Sequence, residues 1–247
     1  MKDMKNYKIT VQYDGTKYNG WQRQGNTKNT IQERFENVLS RMCGCNVEIF
    51  ASGRTDAGVH ADEQTANFKC DTTMDEAQIK DYLNRYLPED VRVTSLEAVD
   101  ERFHSRLNAK SKTYEYTIAT EKPDVFERKY VFFADKKPDA DKMRNAAEKL
   151  VGKHDFKGFS SVGRTKKSTV RTVNFIEIEE KDGLIKIRIN GDGFLNNMVR
   201  IISGTLYGIG CGALDEGVID EIFANKVREK AGVTLPARGL RLVRVYY

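Results

Sequence analysis

The 247-residue chain has little histidine, little cysteine and no long apolar run. His60, His104 and His154 are scattered, and they complete no H-x-E, HExxH or Cys/His pattern of the kind that holds zinc. Cys43, Cys45, Cys70 and Cys211 form no CxxC pair, and the reducing compartment expected for the chain argues against disulfides. No run approaches the roughly 18 apolar residues that a membrane-spanning helix needs. The opening MKDMKNYKITVQYDG alternates like a strand and lacks the apolar centre of a signal peptide, so the chain is expected in the cytoplasm. Neither low-complexity sequence nor a Pro/Gly-rich linker interrupts it. With 39% hydrophobic and 31% charged residues, the composition is that of a folded core and not of a disordered chain. A formal net charge of +5 is compatible with a polyanionic partner without specifying one.

Periodicity divides the chain into two α+β halves. Tyr7, Ile9, Val11 and Tyr13 alternate as a first strand. TIQERFENVLSRMCG follows as a helix, capped by Thr30 with Glu33 and stopped at Gly44. NVEIFAS and TANFKC are strands. MDEAQIKDYLNRYL is a helix with a Thr73/Glu76 cap, and VRVTSLEAV is the next strand. The order β-α-β-β-α-β belongs to split βαβ, ferredoxin-like units. The second half repeats the theme: strands KTYEYTIAT and KYVFFA, helix DADKMRNAAEKLVG, a hairpin turned at Asp182-Gly183, helices GFLNNMVRIISGTLYGIG and EGVIDEIFANKVREKAG, and a last strand GLRLVRVYY. The expected lobes are residues 1–107 and 108–247, with a functional cleft between them.

One stretch, ASGRTDAGVHAD at 51–62, concentrates candidate chemistry. Asp56 is a lone carboxylate among Gly53, Ala57 and Gly58, two residues after Arg54, on a loop joining two strands. The glycines permit unusual backbone angles and close approach of a ligand. By spacing alone the stretch also reads as a surface turn carrying a solvated ion pair. Basic residues cluster elsewhere. Lys110 and Lys112 precede Tyr114. Arg164, Lys166, Lys167 and Arg171 lie in SSVGRTKKSTVR, which has no acid. Lys17, Arg23 and Lys28 flank Tyr18 and Trp21. Charge runs are commonly solvated faces; taken together these suit salt-sensitive contacts to a phosphate backbone. Tyr116 reads as core, and the three histidines as local hydrogen-bonding residues.

SGRTDAGVHA closely resembles the signature of the tRNA pseudouridine synthase A (TruA) family, and further matches follow in order along the whole chain. They are ITVQYDGTKYNGWQRQ with TIQERFENVL, FHSRLNAKSKTYEYTI, GKHDFKGFSS, GFLNNMVRIISG and LPARGLRLVRV. The resemblance implies two α+β lobes, similar and ferredoxin-like, with a continuous central antiparallel sheet. It implies isomerisation of uridine to pseudouridine at positions 38 to 40 of the tRNA anticodon stem-loop, without cofactor or metal, by a homodimer. It assigns the catalytic role to Asp56, as nucleophile at ribose C1′ or as base at C2′. Arg200 would pair with that carboxylate, against the tendency of burial to protonate it. Tyr114 would stack on the uracil and help remove the C5 proton. Arg54 would enter the RNA stem as the target nucleotide turns out, and Leu235 would pack beside the base. Asn196 and Asn197 depart from the aromatic or histidine residues common there in relatives, and ADEQTANF departs from a frequent Gly-Gln-Val. A non-catalytic RNA-binding or tRNA-folding protein, or a paralogue acting on another RNA, is the alternative. A glycoside hydrolase is disfavoured because the loop offers one carboxylate, not two.

Overall fold

Strand-forming alternation and well-placed caps account for most of the architecture. The computed structural model describes residues 4–163 and 165–247; Arg164, one of the expected phosphate contacts, lies outside the described residues. In chain order the elements are β1 (Lys5–Tyr13), α1 (Ile31–Cys43), β2 (Ile49–Ala51), β3 (His60–Cys70), α2 (Glu76–Tyr86), β4 (Val91–Val99), β5 (Ser111–Ala119), β6 (Phe132–Phe133), α3 (Ala140–Glu148), β7 (Gly152–Asp155), β8 (Val170–Lys181), β9 (Leu184–Gly191), α4 (Met198–Gly210), α5 (Val218–Asn225) and β10 (Leu240–Tyr246). The fold is α+β. Two units are distinct: residues up to Lys110 together with Leu242–Tyr247, and Ser111–Arg241. Among the described residues no helix is long and apolar enough to cross a membrane.

In the first unit β1 lies between β4 and β3, antiparallel to both, and β2 pairs antiparallel with β3. This is the split βαβ arrangement that the element order predicts. β10 lies beside β3, and its residues from Leu242 on belong to this unit together with Tyr247. Tyr7, Ile9, Val11 and Tyr13 are all buried, with Phe35 and Leu39 of α1 and Ile79 and Leu83 of α2. The cap of α1 forms as expected: Thr30 Oγ1 accepts from the Glu33 amide, and Gly44 closes the helix at φ 65°. The cap of α2 does not. Asp75, not Thr73, is the N-cap, in a reciprocal capping box with Gln78. Thr72 is used in a turn upstream, accepting from the Met74 amide at 3.2 Å, and Asp with Gln three residues on satisfies the same rule two residues later.

Two expectations about cysteine and helix length are corrected. Cys43 and Cys70 are joined by a disulfide, with Cα atoms 6.6 Å apart. The last residue of α1 and the last residue of β3 are brought together by the fold, which 27 residues of separation in sequence conceal. Helix α4 begins at Met198, not at 193, because Asn197 adopts the left-handed region at φ 60° and so ends the preceding turn.

In the second unit β9 lies between β5 and β8, and β7 pairs with β8, all antiparallel. Asp182 and Gly183 make the two-residue hairpin turn, both at positive φ (50° and 72°), as the type I′ turn requires. The expected strand KYVFFA is reduced to two residues, Phe132 and Phe133, parallel to the end of β5. Ile185, Ile187 and Ile189 of β9, Tyr116 and Ile118 of β5, and Ile201, Ile202 and Leu206 of α4 form the core of this unit. By strand parity the opposite face of the β5–β9 pair carries Glu115 across from Arg188 and Thr117 across from Lys186.

Candidate active site

The loop carrying Asp56 is held from several sides within the first unit. Glycine content alone suggests a flexible turn; the bonding says otherwise. Thr55 is buried, its hydroxyl 2.7 Å from the Tyr13 phenol oxygen and its carbonyl accepting from the Trp21 amide at 3.1 Å. Burial pushes the Tyr13 phenol pKa up, with hydrogen bonds to Thr55 and Gln64 acting in the opposite direction. The Gly58 amide donates to the Tyr18 carbonyl, and the Val59 amide returns to the Asp56 carbonyl, both at 3.2 Å. Gln64 donates to the Gly53 carbonyl at 3.0 Å while accepting from Ser52 at 2.7 Å. Asp56 itself is half-buried and Arg54 is exposed.

Two glycines of YDGTKYNGW make this clamp possible. A Cβ on Gly15 would lie 2.0 Å from the Val59 carbonyl oxygen, and one on Gly20 would meet the backbone of Thr55, Asp56 and Ala57. Gly20 also holds φ 87°, a conformation open chiefly to glycine. The N-terminal loop therefore serves as the mould for the Asp56 loop. The sequence signal for this was the glycine spacing, which reading for ligands alone passes over. His60 is local in role: its Nδ1 accepts from the Gly15 amide at 3.1 Å. His104 accepts from the Arg106 amide at 3.1 Å, and His154 stacks on Phe223.

Tyr114, Arg171, Arg200 and Leu235 all lie in the second unit, and of these Arg200 and Leu235 are in direct hydrogen-bond contact. Tyr114 is buried on β5, with its ring edge-on to Phe194 at 5.1 Å. Phe194 and Leu195 are half-buried, while Met198 and Val199 are fully covered. Arg200, in the first turn of α4, donates through Nε to the Leu235 carbonyl and through Nη1 to Asn197 Oδ1, both at 2.7 Å. Leu235 is buried, and the group it gives Arg200 is its main-chain carbonyl. Arg171 borders the same segment, donating to the Ser168 and Val170 carbonyls, with its Nε 3.4 Å from where a Cβ of Gly193 would sit. Tyr116 is core, as expected: fully buried and donating to the Pro236 carbonyl at 2.8 Å. Burial pushes its phenol pKa up, and the charges of Arg200 and Arg238 pull it down.

Of the remaining basic candidates, Lys112 is half-buried on β5, two residues before Tyr114, and Lys110, Lys166 and Lys167 are exposed. Arg23 is engaged locally by Glu36 at 2.7 Å, and Lys17 stands 3.8 Å from Asp90. No group of three or more His, Cys, Asp or Glu side chains suited to a metal occurs among the described residues.

Residues 9–108 and 146–247 match the family described as tRNA pseudouridine synthase. The chain belongs to this family. Over 245 residues it is 47% identical to tRNA pseudouridine synthase A 2 of Bacillus cereus (strain ZK / E33L), covering 99% of this chain and all of that one. It is 48% identical over 240 residues to tRNA pseudouridine synthase A of Bacillus sp. (strain KSM-64), covering 97% and 98% of the two chains. It is 43% identical over 245 residues to tRNA pseudouridine synthase A of Clostridium kluyveri. A crystal structure of a Cbf5-Nop10-Gar1 complex matches 96% of this chain and 48% of its own at 12% identity and a TM-score of 0.38, a likeness from which no site or partner transfers. The family's reaction is an isomerisation in tRNA. The bond from ribose C1′ to uracil N1 breaks, the base turns, C5 bonds to the same carbon and gives up its proton, and N1 ends carrying one, so no atom is gained or lost.

Proposed function

We propose that the enzyme isomerises uridine at positions 38 to 40 of the tRNA anticodon stem-loop, in the cytoplasm and as a homodimer. The observation that carries this reading is the full-length identity to enzymes named tRNA pseudouridine synthase A, on a chain that keeps SGRTDAGVHA intact. In this reading Asp56 is the catalytic carboxylate, and Arg200 supplies the positive charge that keeps it ionised against desolvation. Tyr114 offers an aromatic face to the extruded uracil and a hydroxyl for the proton leaving C5.

The local geometry supports these roles residue by residue. A carboxylate that must meet one ribose carbon gains from a loop held by backbone hydrogen bonds, because a near-attack geometry tolerates little drift. An arginine with two of its donors already committed presents its charge in a defined direction. Exposed Arg54 has the reach to stack or to bind phosphate where the nucleotide turns out. Lys110, Lys112, Lys166, Lys167 and Arg171 contribute phosphate contacts that position the stem-loop without reading its sequence. Leu235 covers the base.

The deciding experiment incubates the protein with unmodified tRNA transcripts and maps pseudouridine at nucleotide resolution. Product confined to positions 38 to 40 is expected. Product elsewhere, or on ribosomal RNA in place of tRNA, would refute the assignment of position. Light scattering at working concentration tests the dimer, and a monomeric mass would sink that part.

A further inference from the structure

Asn197 breaks a local rule. It is the N-cap of α4, a position where asparagine ordinarily turns its side chain onto the first helical amides, yet it makes no such bond. Its amide is used elsewhere. Oδ1 accepts from Arg200 Nη1 at 2.7 Å, and Nδ2 donates to Ser161 Oγ at 3.0 Å. A guanidinium has donors only, so the contact fixes which end of the amide faces Arg200. The bond to Ser161 holds that orientation from the far side. Meanwhile Arg200 Nε is committed to the Leu235 carbonyl at 2.7 Å.

Two fixed donors on one planar group set its plane, and hence the direction of its remaining N–H bonds. The backbone adds a second requirement. Asn197 sits at φ 60°, where asparagine and glycine are tolerated and most residues are strained. Glycine would satisfy the backbone without the acceptor. Most polar residues would supply an acceptor without accepting the backbone. Asparagine meets both.

We propose that Asn197 is the positioning residue for Arg200, orienting its guanidinium for the charge it brings to the reaction. The inference rests on the proposed role of Arg200, and its test keeps the two apart. Asn197→Gly preserves the left-handed backbone and removes only the amide; Asn197→Ala removes the amide and strains the backbone as well. Single-turnover rate with an unmodified tRNA transcript, transcript Kd by filter binding, and Tm are measured for both variants, beside Asp56→Asn. The expected result is a rate about tenfold lower in both Asn197 variants, the loss of one charged hydrogen bond, with Kd close to that of the parent. Tm should fall further in Asn197→Ala than in Asn197→Gly, without a matching further fall in rate. An Asn197→Gly rate equal to the parent's, with Asp56→Asn inactive, overturns the positioning role and leaves the site reading intact. Rate losses that track Tm across the two variants also overturn it. An active Asp56→Asn overturns the site reading and the inference with it.

Discussion

A Cβ on Gly20 would stand 2.5 Å from the carbonyl oxygen of Thr55, the residue before Asp56. No loop movement short of displacing that carbonyl relieves the contact, because the same oxygen accepts the Trp21 amide at 3.1 Å. Gly20→Ala therefore combines backbone strain with a steric collision. It is expected to cost about 1–3 kcal/mol and to lower turnover beyond what the stability loss explains, since the displaced Thr55 carbonyl belongs to the peptide that leads into Asp56. Gly25→Ala is the control: nothing lies within 4 Å of its Cβ position, and it should stay within about 0.5 kcal/mol of the parent. Thermal melts and turnover of the two variants check this, and equal behaviour would remove the N-terminal loop from the account of the site.

Asp56→Asn keeps shape and half-burial while removing the charge on which both proposed roles, nucleophile at C1′ or base at C2′, depend. Product formation should fall by about 10²–10⁴-fold or more, while RNA binding, for which the proposed contacts are basic side chains elsewhere, should be nearly unchanged. Loss of both together would mean that the loop had unfolded and that the variant tests nothing about chemistry; circular dichroism separates the cases.

Much of this was legible in the residues, and the part that was not has identifiable causes. Caps and turns are local, so Thr30, Gly44 and Asp182-Gly183 declared themselves. The cap of α2 slipped by two residues because Thr73 and Asp75 obey the same rule and only the turn at Thr72 decides between them. Apolar periodicity extends α4 back to Gly193 because it does not register a single left-handed residue at Asn197. In the site, the candidate residues stood out by resemblance, but what holds them did not. The Leu235 carbonyl and the Tyr18 carbonyl are backbone groups, and backbone groups carry no sequence signal.

The Cys43–Cys70 disulfide makes a simple count. With the protein unfolded under non-reducing conditions, iodoacetamide should label Cys45 and Cys211, the two free cysteines, and prior reduction should raise the number of labelled sites to all four. Closure of the intervening segment should also raise stability by about 3–4 kcal/mol over the reduced protein, measurable as a shift in the urea midpoint. Full labelling without reduction would show that the two thiols stand side by side unbonded.

Glu115 gives the pH dependence. Its side chain is 2% exposed, and it accepts from Arg188 Nε at 2.8 Å and from Arg241 Nη2 at 2.7 Å, with the two arginine side chains 43% and 42% exposed. Burial alone would raise its carboxyl; the hydrogen bonds from Arg188 and Arg241, with the Arg241 and Lys186 charges, outweigh it and hold the pKa below the ordinary 4.5. A folded-state pKa below the unfolded value stabilises the protein above the unfolded pKa. That contribution is lost as pH falls through the folded value. Glu115→Gln removes it at every pH. The variant should be about 1–3 kcal/mol less stable than the parent at pH 7, and the gap should close as pH falls below the ordinary 4.5 and through the lower folded value. Urea unfolding of both proteins across that range checks the sign, and a gap of constant size would mean that Glu115 contributes through shape rather than charge.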